Sequence, residues 1–293
     1  MRNLFVRLAA AIAISVAALM AAGPALARET VQQRIDALLP GADLLMPEGK
    51  GPFPVAIQLH GCGGKGDFQL GWAEVARKAG WAVIVVDSYK HRNISRLQAY
   101  ATVCTGMHLW GRDRAGDLYA MMEWVRGQGW ADPNRIVAAG WSHGGWTTLD
   151  AMSLTPGADM ANSTRLDGLA EDPMKGLVGA FVVYPYCGIG CVAAERGTRV
   201  DVPVRALVGT ADVVVGNTGL AKTLQKMKTP KSAIDVTMLE GATHAFDEPK
   251  ARDLRVKYDP SLTERAHGLY ADFLKGLAAG ASPVATVTAV AAR

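Results

Sequence analysis

The apolar run Ile136-Val137-Ala138-Ala139 is followed at once by Gly140-Trp141-Ser142-His143-Gly144, and a segment that reads as a helix begins at Gly145. No other stretch restricts the fold as strongly. Four consecutive apolar residues bounded by turn-formers read as a strand buried on both faces. Gly-x-Ser-x-Gly between a strand and a helix is a sharp turn that holds its serine in a strained backbone conformation. The two glycines fit a place where strand and helix backbones approach too closely for a Cβ. By itself the pentapeptide is also compatible with an ordinary glycine-rich turn, so a functional serine requires a base, an acid and hydrogen-bond donors elsewhere in the chain.

The surrounding sequence repeats the strand-then-helix pattern. Residues 43–46 give a weak extended signal, and prolines and glycines between Pro47 and Pro54 mark a turn. Strands are predicted over 55–59, 81–86, 136–139, 177–184, 204–208 and 234–239. Helices are predicted over 72–79, 113–126, 220–227 and 263–277, with the elbow helix after Gly145. Residues 28–33 read as a polar opening, 88–111 as a polar stretch without a long element, and 156–175 as a turn-rich segment suited to a modest cap. Strands alternating with helices predict an α/β fold with a mostly parallel central sheet and helices on both faces.

The N-terminus has a separate character. Arg2 and Arg7 precede an alanine-rich apolar run from Leu8 to Ala22, and Ala25-Leu26-Ala27 supplies a small-x-small site. This pattern predicts a signal peptide over 1–27, cleaved after Ala27, and a periplasmic or secreted domain over 28–280. No later stretch is apolar enough to suggest a membrane span. Residues 281–293 read as a flexible tail. Without Arg2 and Arg7 the formal net charge falls from +4 to +2. The charges are scattered, which gives no basis for a nucleic-acid partner. Export permits disulfides, and Cys62–Cys104 with Cys187–Cys191 is the favoured pairing of three connectivities. Only Cys187 and Cys191 approach metal-ligand spacing, so neither metal nor cofactor is expected.

In such a sheet, function resides where strands end at their carboxyl edge. The strand near Leu207 delivers Asp212, and the strand near Leu239 delivers His244. The strand near Leu59 delivers the loop His60-Gly61-Cys62-Gly63-Gly64. A serine hydroxyl needs a neutral imidazole to accept its proton, and a carboxylate sets the tautomer of that imidazole. The negative charge that develops on a substrate carbonyl needs fixed N–H donors. Ser142, His244 and Asp212 are therefore the candidate nucleophile, base and orienting acid, with the backbone N–H groups of Cys62 and His143 as oxyanion donors. The competing base His267 falls inside the last helix, and the competing acid Asp87 precedes the serine in the chain. His60 reads as a hydrogen-bonding loop residue, and Trp141 as a candidate pocket wall.

With those residues identified, the chain resembles the dienelactone hydrolase family of α/β-hydrolases. The resemblance rests on Leu59 to Gly64, Val86-Asp87-Ser88, Asp132 to Ile136, Gly140 to Gly145 and His244-Ala245-Phe246-Asp247. It spans roughly residues 44–277 and implies a Ser/Asp/His hydrolase. The family's name-giving enzymes use cysteine where this chain has Ser142, so the resemblance implies a serine esterase rather than dienelactone cleavage. A small-molecule ester is the expected partner. Peptide or amide hydrolysis, and a non-catalytic binding protein on the same fold, are the alternatives. Oligomeric state is not legible in the sequence.

Overall fold

The computed structural model describes residues 28–227, 234–251 and 253–278. The predicted signal peptide and the predicted tail lie outside the described residues. In chain order the elements are β1 (Glu29–Thr30), α1 (Val31–Leu38), β2 (Asp43–Leu45), β3 (Phe53–Leu59), α2 (Asp67–Lys78) and β4 (Ala82–Val86). Then come α3 (Gly111–Arg126), β5 (Ala131–Trp141), α4 (His143–Ala151), α5 (Ala158–Thr164), β6 (Leu166–Asp167) and β7 (Leu177–Val183). The chain continues through α6 (Val192–Arg196), β8 (Val204–Gly209), α7 (Thr218–Lys226), β9 (Ile234–Leu239) and α8 (Pro260–Ala278).

Seven strands form one sheet in the order β2-β4-β3-β5-β7-β8-β9. Every pairing in it is parallel except that of β2 with β4. The strand interiors show why both faces must be covered. Along β3 and β4, Val55, Ile57, Leu59, Ala82, Ile84 and Val86 enter one core, while Ala56, Val83 and Val85 enter the other. Alternate residues point to opposite faces, so a run that is apolar throughout requires helices on each side. α2 and α8 cover one face through Trp72, Ala76, Tyr270 and Phe273. α3, α4 and α7 cover the other through Leu118, Met122, Leu149 and Leu224.

The structure departs from the sequence reading at local signals. The polar opening is the start of α1, where Thr30 Oγ1 accepts from Gln33 N–H (3.2 Å) and Gln33 Oε1 accepts from Thr30 N–H (2.8 Å). This is a capping box written as Thr-x-x-Gln, and the apolar face behind it is Val31, Ile35 and Leu38. α2 starts five residues earlier than predicted, at Asp67, because Gln69 Oε1 accepts from Gly66 N–H at 3.0 Å. The 88–111 stretch contains a short helical segment over 96–103.

The 156–175 segment is not a cap over the serine. It leads from beyond α4 into the start of β7, where Leu177 pairs with Ile136 of β5, five residues before the end of that strand. That is the amino edge of the sheet, opposite the elbow. There β6 pairs with β1, and residues 156–171 line a cavity of about 410 Å³. Among the described residues, no helix is long and apolar enough to cross a membrane. Both expected disulfides, Cys62–Cys104 and Cys187–Cys191, are present.

Candidate active site

β5 runs directly into Ser142, which has φ 50° and ψ −111°. A side chain at positive φ costs of order 1–3 kcal/mol and persists only where its surroundings enforce it. Here they do. Ser142 N–H donates to Val183 O (2.9 Å), and Ser142 O accepts from Trp146 N–H (3.0 Å) and Tyr186 N–H (3.1 Å). A Cβ on Gly140 would lie 2.2 Å from Gly144 O, and one on Gly144 would lie 2.0 Å from Leu59 O. Only glycine fits at either position.

Three strand ends converge on this turn. His244 Nε2 lies 2.9 Å from Ser142 Oγ, and His244 Nδ1 lies 2.8 Å from Asp212 Oδ2. Asp212 is itself oriented, since its Oδ1 accepts from Val214 N–H (2.8 Å) and Val215 N–H (3.1 Å). With Nδ1–H donating to the carboxylate, Nε2 is left bare to accept the serine proton, the tautomer that nucleophile activation needs. Ser142 and His244 are each 8% exposed and Asp212 is 1% exposed, so the pair reaches solvent while the carboxylate does not. Of the competitors, His267 sits in α8 against Trp72, with ring centroids 4.5 Å apart. Asp87 accepts from the N–H groups of Tyr89 and Lys90 in its own turn.

The glycine-rich loop after β3 passes beside the serine: a Cβ on Gly61 would lie 3.5 Å from Ser142 Cβ. Successive carbonyls in this loop are all occupied. His60 O accepts from Arg114 Nη1 (2.7 Å), Gly61 O from His60 Nδ1–H (2.7 Å) and Cys62 O from Tyr89 Oη–H (2.9 Å). The Cys62–Cys104 disulfide fastens the loop to the 96–103 segment. His143 opens α4, so its N–H is among the first helical donors, which lack an intrahelical acceptor. Its ring is turned away from the serine: Nε2–H donates to Leu109 O (2.7 Å), and Nδ1 accepts from Arg114 Nη1 (3.2 Å). Burial, with the Arg114 charge added, pushes the His143 imidazole down to about 3, so the ring is neutral. The same two causes hold His60 well below the ordinary histidine value.

Trp141 corrects the sequence reading. It is fully buried on the α2 face of the sheet, its ring 5.2 Å from that of Trp72. As the residue before Ser142 it points to the opposite face, as strand alternation requires.

Sequence reasoning gave no role to three further residues. Asp247, three residues after His244, is buried and accepts from Tyr184 Oη–H (2.5 Å) and Trp72 Nε1–H (2.8 Å). Tyr184 packs its ring 4.7 Å from the His244 ring. Burial pushes Asp247 up to about 6, against the pull of its two donors. Arg114, in the first turn of α3, is completely buried. A polar residue on the apolar face of a predicted helix is the signal that marks it.

Residues 172–278 match the dienelactone hydrolase family, and residues 74–157 match the prolyl oligopeptidase family. No curated protein matches the chain in sequence. Among solved structures, a dienelactone hydrolase from Anabaena variabilis is 18% identical, with a TM-score of 0.54, over 79% of this chain and 88% of that one. Esterase 2 of Thermogutta terrifontis, phosphonylated by cyclosarin, is 16% identical, with a TM-score of 0.57, over 80% of this chain and 88% of that one. A dienelactone hydrolase-like promiscuous phosphotriesterase from metagenomic libraries is 18% identical, with a TM-score of 0.56, over 80% of this chain and 92% of that one. At such identities the likeness is one of fold. The chain is an α/β-hydrolase, a serine hydrolase related to the dienelactone hydrolases.

Proposed function

We propose that this protein hydrolyses carboxylic esters through an acyl-enzyme on Ser142. The observation that carries the reading is the unbroken hydrogen-bonded series Ser142 Oγ, His244 Nε2, His244 Nδ1, Asp212 Oδ2, at 2.9 and 2.8 Å. Ser142 Oγ attacks the ester carbonyl carbon while its proton passes to His244 Nε2, and the carbonyl electron pair moves onto oxygen. The N–H groups of Cys62 and His143 receive that oxyanion, while Asp212 stabilises the imidazolium. Collapse expels the alcohol, which takes the proton from His244. Water then repeats the cycle on the acyl-enzyme and releases the acid. A fluorophosphonate probe should add one covalent mass to Ser142 in the native protein and none to Ser142→Ala. Labelling at another residue would sink the assignment.

Amide cleavage is the second reading, favoured by the prolyl oligopeptidase match over the segment that contains the elbow. The same triad serves both leaving groups, and paired p-nitrophenyl ester and p-nitroanilide substrates of one acyl group separate them. The two disulfides and the N-terminal apolar leader pattern support a periplasmic or secreted location. Fractionation with an antibody to the full chain tests that part of the reading.

A further inference from the structure

We propose that Arg114 is a positioning residue that holds the two halves of the oxyanion hole at a fixed separation. The inference rests on the reading of Cys62 and His143 as the oxyanion donors. These donors come from different elements, a loop after β3 and the first turn of α4. The β3–β5 pairing and the close approach of Gly144 to Leu59 O bring these elements side by side, but among the described residues no backbone bond ties the loop beyond Leu59 to the first turn of the helix.

One guanidinium supplies that tie. Arg114 Nη1 donates to His60 O on the loop and to His143 Nδ1 on the helix, at 2.7 and 3.2 Å. Its Nε donates to Ser88 Oγ at 2.7 Å, and Ser88 N–H donates to His60 Nε2 at 3.2 Å. The His60 ring thus receives from the β4 end and gives its Nδ1–H to Gly61 O. In a trans peptide the C=O and N–H point in opposite directions. With Gly61 O turned toward the His60 ring, the Cys62 N–H of the same peptide plane is aimed the other way, and Gly61 is the loop residue packed beside Ser142. Arg114 therefore sets the aim of one donor through His60 and the seat of the other through His143.

The chemistry of Arg114 suits positioning better than packing. All three of its bonds go to neutral acceptors, and it is completely buried. A buried charge is costly, and a well-packed apolar side chain generally serves stability as well or better. Burial brings the guanidinium down to about 10, so it remains charged at neutral pH. A planar donor fork that is always charged can hold three acceptors on three elements in one geometry, which a lysine cannot.

The experiment uses the full chain, p-nitrophenyl butyrate as substrate, and an aliphatic trifluoromethyl ketone, whose serine adduct carries an oxyanion. Arg114→Met should lower kcat about 100-fold, as for the loss of one oxyanion donor, with KM within about twofold of wild type. The ketone's inhibition constant should weaken by the same factor as kcat/KM falls. Arg114→Lys should recover part of the loss. Ser88→Ala removes one anchor without removing the charge, and should lower kcat about threefold to tenfold with the same parallel weakening. If Arg114→Met does not fold, Arg114→Lys and Ser88→Ala decide the matter. A fall in kcat without loss of ketone affinity, a change in KM alone, or no change in either milder variant would overturn the proposal. Full turnover by Ser142→Ala would instead overturn the reading of the site and leave a distinct signature.

Discussion

Asp212, Asp247 and Asp150, three of the four buried carboxylates among the described residues, stand in different electrostatic settings. Asp212 is saturated by His244 and two backbone N–H groups. Asp247 is fixed by Tyr184 and Trp72. Asp247→Leu should keep the fold but loosen the loop that carries His244, lowering kcat for a p-nitrophenyl ester about tenfold or more by stopped turnover of a precise geometry. Asp150, on α4, has no such saturation: its Oδ1 accepts from Ala193 N–H at 3.2 Å, and burial pushes the carboxyl up to about 7. Its folded value lies above the unfolded one, so the native state binds more protons between roughly pH 4 and 7 and stability falls as pH rises through that window. Asp150→Asn retains the acceptor and removes the titration. The variant should gain on wild type in urea melts at pH 8, with the gain shrinking towards zero by about pH 4; a constant difference at both pH values would exclude this account.

At the scale of elements, one covalent tether reaches the proposed site. Cys62–Cys104 joins the glycine-rich loop after β3 to the end of the 96–103 segment across 42 residues of sequence. Closing a loop of that length is worth about 4 kcal/mol in the chain-entropy account. Cys104→Ser in a Cys62→Ser background should therefore lower the melting temperature by several degrees. It should also lower kcat more than Cys187→Ser with Cys191→Ser, because the latter pair closes a loop beside α6 and touches no proposed donor. The elbow itself is less forgiving. Gly144→Ala would place a Cβ 2.0 Å from Leu59 O and should yield little soluble protein, as judged by expression and circular dichroism.

For the whole molecule, a buried ion cluster on α3 predicts a loss of stability in acid. Asp117 on α3 meets Arg34 of α1 at 2.6 Å and Arg92 of the β4 loop at 2.8 Å, with no exposure of the carboxylate. Burial alone would raise this carboxyl, but the two guanidinium groups hold it well below the usual carboxylate range. Its stabilisation is present above about pH 4 and is lost as pH falls below that. Asp117→Asn leaves Arg92 without its carboxylate partner and Arg34 with Glu29 alone (2.7 Å), and should cost about 3 kcal/mol at pH 7, measured by urea unfolding, with a smaller penalty at pH 3. Sequence alone reached much of this molecule. Apolar runs such as Val55–Leu59 and Trp81–Val86 dictated a sheet buried on both faces, because consecutive apolar residues cannot all face one side. Strand-end position and chain order sufficed to nominate Ser142, Asp212 and His244, since parallel strands deliver their loops to one edge. Local capping chemistry at Thr30 and Gly66 was written in the sequence but was outweighed by polar composition, so α1 and the start of α2 went unread. Tertiary structure decided the rest, because long-range packing alone determines which polar group is buried against which. It turned Trp141 into the core, carried residues 156–175 to the far edge, and brought Arg114, 28 residues before the serine, into contact with both sides of the site.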